Sequence, residues 1–355
     1  MLKVLFLTPW YPSEKDAMSG LFVHKHVEAV RAQGVDVRVI HSQENLDTIL
    51  QYKALIDQGW KPDLVQLNVI QKQGLLALAL WQKEHIPYII VEHWSGYLPE
   101  NGSFLQMSAW KQRIYRRIAR EARMILTVSE RLGQAMRACG IRNARWGQIH
   151  NVVDDFFFEQ ITNHKSQITN HKSQITNHNT LLHVSCFDER AKNVKGLLRA
   201  AKMLSEKRQD WRLILVGTGV DYEEVRAYAD TLAIPDGLLR WTGELTPREV
   251  ADEMQGADAL VLSSRYETYG VVLAEAVAAG LPILSTPVGI AEEVADLIVP
   301  QEIAQHKAGT FAEFIETILF RVESRKSKVE SKRFTSEAVG KTLKEAYDSC
   351  LHRDI

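Results

Sequence analysis

Two doubly wound α/β domains are what the sequence predicts, and three observations predict them. Its 355 residues exceed what one hydrophobic core usually holds. Short, nearly continuous apolar runs alternate with helical patterns, as parallel strands buried on both faces alternate with crossover helices. That alternation breaks once, at a polar tract near the middle, and then begins again.

In the first half, "KVLFLTP" reads as a buried strand. "GLFVHKHVEAVRAQG" follows with helical spacing through Phe22, His26, Ala29 and Val30, and Gly34 is placed to end it. Next come "VDVRVIH" and "PDLVQLNVI" as strands, "GLLALALWQKEH" as a helix, and "PYIIVEH" as a strand. "RIYRRIAREAR" is helical, "MILTVS" is a strand, and Ser129 caps the helix "ERLGQAMRACG". The second half repeats the grammar: strands "LLHVSCF", "WRLILVG", "LLRWTG", "DALVLSS" and "LPILSTP" are separated by helices "VKGLLRAAKMLSEK", "DYEEVRAYADTLAI", "PREVADEMQGA" and "GVVLAEAVAAG". A last helix, "SEAVGKTLKEAYDSCL", closes the chain.

The break is "ITNHKSQITNHKSQITNHNT", residues 161–180, two copies of a seven-residue unit and a truncated third. His164, His171 and His178 recur in it, but no cysteine or acidic residue recurs with them to complete a metal-ligand set. The tract is too polar to bury a core and reads as a flexible linker lengthened by duplication. Predicted boundaries are 1–155 for the first domain, 156–180 for the linker and 181–335 for the second domain. The final helix, 336–352, is expected to pack back on the first domain.

Composition narrows the function. The chain is 45% hydrophobic and 25% charged with a formal net charge of -1, so no overall field directs it to nucleic acid. Cys139, Cys186 and Cys350 lie far apart, which argues against a disulfide framework or structural zinc and for a reducing compartment. The opening apolar run soon meets Pro9 and Pro12, too early for a secretory signal or a membrane span, so the expectation is cytoplasmic.

The most informative stretch is "SSRYETYGVVLAEAVAAGLPILSTPVG", residues 263–289. Glu267 lies in a loop after a strand, Gly270 opens a helix, and Glu275 sits in its second turn. A helix N-terminus offers unpaired N–H groups to a phosphate, and a carboxylate near it can accept both hydroxyls of a ribose. Taken alone, two glutamates at this spacing describe a solvated helix face; the strand–loop–glycine–helix context favours a site. Gly217 and Gly219 in "LILVGTG" lack the third glycine and distal acid of a dinucleotide fingerprint, and the first strand carries none.

The stretch resembles the signature of the retaining group 1 (family four) glycosyltransferases of the GT-B fold. "TPWYPSEKDAMSGLFVHKHVEAVRAQGVDVRVI", "VEHWSGY", "HNVVDDFF" and "NVKGLL" extend the resemblance along the chain apart from the repeat. The resemblance implies two Rossmann-like domains facing across a cleft, the first on the acceptor side and the second binding a nucleotide-sugar. Glu275 would then bind the nucleotide ribose and Glu267 the donor sugar near its reacting carbon. The backbone at Tyr269, Gly270 and Val271 would hold the diphosphate. Lys195 is similar to the family's diphosphate-binding lysine, Gly20 to the glycine of its first loop, and His93 to the histidine that faces the donor sugar. Gly217 would lie beside the nucleotide, and Glu92 and Tyr97 on the acceptor side. The family's upstream arginine is matched by Cys186, a departure that leaves Arg190 or Lys192 to supply the cation.

The resemblance also implies retention of anomeric configuration, no divalent metal and no other cofactor. The acceptor would be a saccharide or a lipid-linked saccharide, in bacterial surface polysaccharide or lipopolysaccharide assembly. Competing readings are an epimerase or phosphorylase on the same fold, or a nucleotide-sugar-binding protein without turnover. Finally, "WKQRIYRRIAREARMI" sets Arg113, Arg116, Arg117, Arg120 and Arg123 against Ile114, Tyr115, Ile118, Ala122 and Ile125. That pattern fits an ordinary solvated helix or peripheral contact with the inner face of a membrane, to which the basic run 321–333 would add. Its apolar side lacks Trp, Phe and Leu, which argues against deep insertion.

Overall fold

The structure, a computed structural model, describes residues 1–14, 16, 18–42, 44–159, 179–321 and 331–351. The three repeat histidines and most of the basic run 321–333 lie outside the described residues. Contacts divide the chain into two compact units, Met1–Val152 with Lys332–Ile355, and Val153–Ser331.

The first unit holds β1 (Lys3–Thr8), β2 (Asp36–His41), β3 (Leu64–Asn68), β4 (Tyr88–Glu92), β5 (Met124–Thr127) and β6 (Trp146–Gln148). All pairings are parallel, in the order β2-β1-β3-β4-β5-β6. The apolar runs form its centre: Val4, Leu5, Phe6, Leu7, Leu64, Val65, Ile89 and Ile90 are buried. The helix Leu21–Arg31 follows β1, and the closing helix Ser336–Leu351 packs on it. Gly340 makes that crossing close, because a Cβ there would overlap the carbonyl of Ala29. Buried Tyr347 on the closing helix donates its hydroxyl to Gln66 Oε1 of β3 at 2.5 Å. Ser129 caps the helix Glu130–Ala138 by accepting the Leu132 N–H, as its position foretold.

The second unit holds β7 (Asn179–Val184), β8 (Trp211–Val216), β9 (Leu239–Gly243), β10 (Ala259–Leu262), β11 (Ile283–Ser285) and β12 (Leu297–Ile298). They too pair in parallel, in the order β12-β11-β10-β7-β8-β9. β7 and β10 are neighbours whose connections run in opposite directions, so the crevice at their C-terminal ends is the place where such sheets bind ligands. Asn179 and Thr180, assigned above to the linker, already belong to β7.

Two features depart from the sequence reading. Asn45–Asp57 is a helix that its periodicity does not announce, because Leu46, Ile49, Leu50 and Ile56 stand exposed on it. The arginine-rich helix spans only Ala109–Glu121, and Ile125 belongs to β5. Its basic face is also narrower than expected. Arg116 turns inward to donate to the Cys139 carbonyl, and Arg123, beyond the helix, lies over the Trp81 ring at 4.8 Å. Arg113, Arg117 and Arg120 remain exposed, on the stripe that begins at exposed Trp110. No helix among the described residues is long and apolar enough to cross a membrane.

Candidate functional site

At the switch point of the second unit, the loop after β7 meets the loop after β10. The β7 loop runs through Cys186 into a one-turn helix, Glu189–Lys192. The β10 loop carries Ser264, Arg265 and Glu267 and ends at Gly270, which starts the helix Val271–Ala278. Between them Lys192 Nζ donates to Glu267 Oε1 at 2.5 Å, and Ser264 Oγ donates to the same oxygen at 2.9 Å. Both charged side chains are largely buried, 14% and 16% exposed. Burial, the largest single influence, works against the ammonium, but the charge and hydrogen bond of Glu267 together with Cys186 and Asp188 outweigh it, so the Lys192 pKa is raised. A lysine held charged beside a carboxylate at strand ends suits an anionic ligand.

The helix after Gly270 leaves the amides of Val271 and Val272 outside its own ladder, and half-buried Glu275 lies one turn further in. Tyr269 is buried, and its carbonyl accepts the Ile290 N–H at 3.0 Å, tying this helix start to the β11 loop. Gly217, with φ of 120°, presses its turn against the β7 loop: a Cβ there would overlap the Ser185 carbonyl. Phe187 N–H donates to the Thr218 carbonyl at 2.8 Å, so the glycine turn and the Cys186 loop are sewn together.

Three expected site residues are engaged elsewhere. Lys195 is not at Glu267: it lies on the next helix, Val194–Ser205, where it pairs with Glu224 and sits 5.4 Å from the Tyr228 ring centroid. The left-handed turn at Asn193 sends the two lysines in different directions, and Lys192 is the one that reaches the site. Arg190 stands exposed on the one-turn helix, while Cys186 is an exposed thiol near Lys192.

The other two are in the first unit. Glu92 is fully buried, and its carboxylate accepts the amides of Ile70, His93 and Trp94 at 3.0 Å each, so it faces its own backbone. Burial raises its pKa to about 7, the three N–H donors pulling the other way. The bond to Ile70 coincides with an unusual backbone, since Val69 has φ of 67°, rarely adopted by a β-branched residue. Tyr97 is likewise buried, between the rings of Trp94 and Phe104 at 5.2 and 4.9 Å. Neither lines an open surface.

His93 follows β4 and stacks on Phe22, ring centroids 4.3 Å apart, with His26 at 5.8 Å. Its Nε2 has no hydrogen-bond partner among the described residues. Burial, with His26 beside it, holds its pKa well below the usual range, so the ring is neutral. Gly20, with φ of 64°, starts the helix Leu21–Arg31, and a Cβ there would overlap the Trp10 backbone. Its glycine is required by packing within the first loop.

Two parallel doubly wound units with this strand–loop–glycine–helix site define the GT-B class, and solved structures agree. The chain superposes on HepE from Anabaena, solved with UDP and glucose, with TM-score 0.73 and 18% identity, covering 98% of this chain and 100% of that one. It superposes on sucrose-phosphate synthase from Thermosynechococcus elongatus with TM-score 0.76 and 18% identity, covering 98% and 99%. The description "Glycosyltransferase Family 4" matches residues 4–155 and "Glycosyl transferases group 1" matches residues 165–333. The chain belongs to the group 1 glycosyltransferases of GT-B fold. Among curated relatives, lipopolysaccharide 1,6-galactosyltransferase of Escherichia coli K12 is 28% identical over 169 residues, 47% of this chain and 45% of that protein. D-inositol 3-phosphate glycosyltransferase of Segniliparus rotundus is 26% identical over 181 residues, 47% of this chain and 40% of that protein. The matched region thus spans less than half the length of either relative.

Proposed function

We propose that the chain is a retaining glycosyltransferase that moves a sugar from a nucleoside-diphosphate sugar to an acceptor hydroxyl. The observation that carries this reading is the buried Lys192–Glu267 pair beside the helix start at Gly270. Lys192 and the amides of Val271 and Val272 stabilise charge on the departing diphosphate, the place where electrostatic stabilisation acts in this chemistry. Glu275 accepts the ribose hydroxyls, and Glu267 holds the sugar near its reacting carbon. The bond from the anomeric carbon to the phosphate oxygen breaks, and the bond to the acceptor oxygen forms on the same face. The acceptor proton passes to the departing phosphate oxygen. In this reading a lysine supplies the cation and no divalent metal takes part.

The family relation, and the UDP and glucose of the HepE structure, support the donor class. The galactosyltransferase relative supports a saccharide or lipid-linked saccharide acceptor in surface polysaccharide or lipopolysaccharide assembly. We place the enzyme in the cytoplasm, in peripheral contact with the membrane. Exposed Leu105 and Trp110 beside Lys111, Arg113, Arg117 and Arg120 support that contact.

The test is incubation with UDP-, GDP- and ADP-hexoses and saccharide acceptors, with product configuration read from proton NMR coupling. Transfer with retention is expected; inversion would refute the mechanism. Donor binding without transfer in the native chain, with transfer appearing in Cys186→Arg, would mark a binding protein that lacks its second cation.

A further inference from the structure

Lys192 ends a helix of one turn, and the chain reverses at once through Asn193, whose φ of 52° is left-handed. One turn does not hold itself in place, so the ammonium is fixed only if the turn is held from outside. Arg265, two residues before Glu267, does this. Its main-chain N–H donates to the Ala191 carbonyl at 2.6 Å. Its Nη1 donates to the Glu189 carbonyl and, at 3.5 Å, to that of Arg190. Its Nη2 donates to Asn193 Oδ1 at 2.8 Å and lies 3.5 Å from Glu189 Oε1. The guanidinium therefore caps the carbonyl end of the helix that carries Lys192, where the helix dipole favours a cation. Asn193 completes the clamp, its Nδ2 donating to the carbonyls of Ser263 and Ala304 at 3.3 and 3.1 Å. From the other side Ser263 Oγ donates to the carbonyls of Lys192 and Asn193 at 3.0 and 3.1 Å.

We propose that Arg265 is a positioning residue: its guanidinium, with Asn193 as the bridge, fixes the 189–193 turn so that Lys192 meets Glu267. Arg265 itself spends its donors on the turn. A lysine cannot replace it, since one ammonium cannot span two carbonyls, an amide and a carboxylate with planar geometry. Only the consequence for nucleotide binding rests on the functional reading above.

The test has two arms. In the first, the full chain is treated with a limiting amine-reactive reagent, and modification of Lys192 is followed by mass spectrometry against Lys195 as internal standard. Arg265→Gln, Arg265→Lys and Asn193→Gly are expected to raise Lys192 modification by about fivefold or more. Asn193→Gly is the variant that secures folding, because glycine accepts the left-handed backbone while removing the bridge. Unchanged Lys192 modification in folded Arg265→Gln and Asn193→Gly overturns the proposal. In the second arm, UDP, GDP and ADP dissociation constants are measured in a double-mutant cycle of Arg265→Gln with Lys192→Ala. Arg265→Gln should weaken binding in the native background and add nothing once Lys192 is gone; additive losses also overturn the proposal. If modification rises but the native chain binds none of the three nucleotides, the positioning role stands and the functional reading falls.

Discussion

Replacing Glu92 by Gln should destabilise the first unit, and the penalty should shrink as pH rises. The side chain is fully buried, with one oxygen accepting from His93 and Trp94 and the other from Ile70. Glutamine keeps one acceptor oxygen but turns an NH₂ group toward the Ile70 N–H, or toward the other pair if it flips. A buried donor left unpaired costs about 1–3 kcal/mol. The pH dependence follows from the raised pKa, about 7 in the fold against 4.5 in the unfolded chain. The stability that native Glu92 contributes is complete below the unfolded value and is lost as pH climbs through about 7. Between pH ~5.5 and pH ~8.5 that loss is about 2 kcal/mol, at 1.36 kcal/mol per pKa unit. Glutamine does not titrate, so the gap between variant and native chain should close by about that amount over the same range. Urea unfolding of both proteins at the two pH values measures it, because other titrating groups cancel in the difference. A gap that is constant with pH, or that widens, would refute the account of Glu92 as a buried carboxyl favoured in its acid form.

The remaining predictions concern the site and its supports. Lys192→Ala should abolish most nucleotide affinity, a loss of about 1.5–3 kcal/mol for a charge-assisted contact, while Lys195→Ala leaves it within twofold; titration calorimetry separates them. Gly217→Ala should cost about 1–3 kcal/mol of strain and weaken nucleotide binding too, since the displaced Ser185 carbonyl carries the Cys186 loop with it; thermal unfolding and the same titration report the two effects. Gly340→Ala should destabilise the first unit by about 1–3 kcal/mol through overpacking against Ala29, seen in urea unfolding, with nucleotide affinity unchanged. Treatment with a chelator should leave transfer unaffected if Lys192 provides the cation; a requirement for added magnesium would contradict that assignment.

The doubly wound class was legible because strands buried on both faces must be apolar throughout, and "KVLFLT" and "ALVL" could hardly be anything else in this alternation. The helix Asn45–Asp57 was hidden for the converse reason: with leucine and isoleucine on its exposed side, it has no clean apolar stripe. In the site, the glycine at the helix start and the two glutamates could be read from order alone. Which lysine stands beside Glu267 could not, because a left-handed residue at Asn193 reverses the chain between Lys192 and Lys195. A signal was present in the next helix. Val194, Leu197, Leu198, Ala201 and Leu204 form its buried stripe, which puts Lys195 at the edge and away from the strand ends. Glu92 misled for a different reason. A carboxylate after a strand looks like a site residue, but in the fold three backbone amides consume it.

The central claim is that Lys192, Glu275 and the helix start at Gly270 hold a nucleoside diphosphate. A thermal-shift panel of UDP-, GDP- and ADP-sugars on the native chain, Lys192→Ala and Glu275→Ala tests it most directly. A donor at about 100 times its dissociation constant stabilises the native state by roughly 2.7 kcal/mol. The account predicts that one nucleotide class shifts the native protein and neither variant. No shift from any donor, or an equal shift in all three proteins, would contradict it.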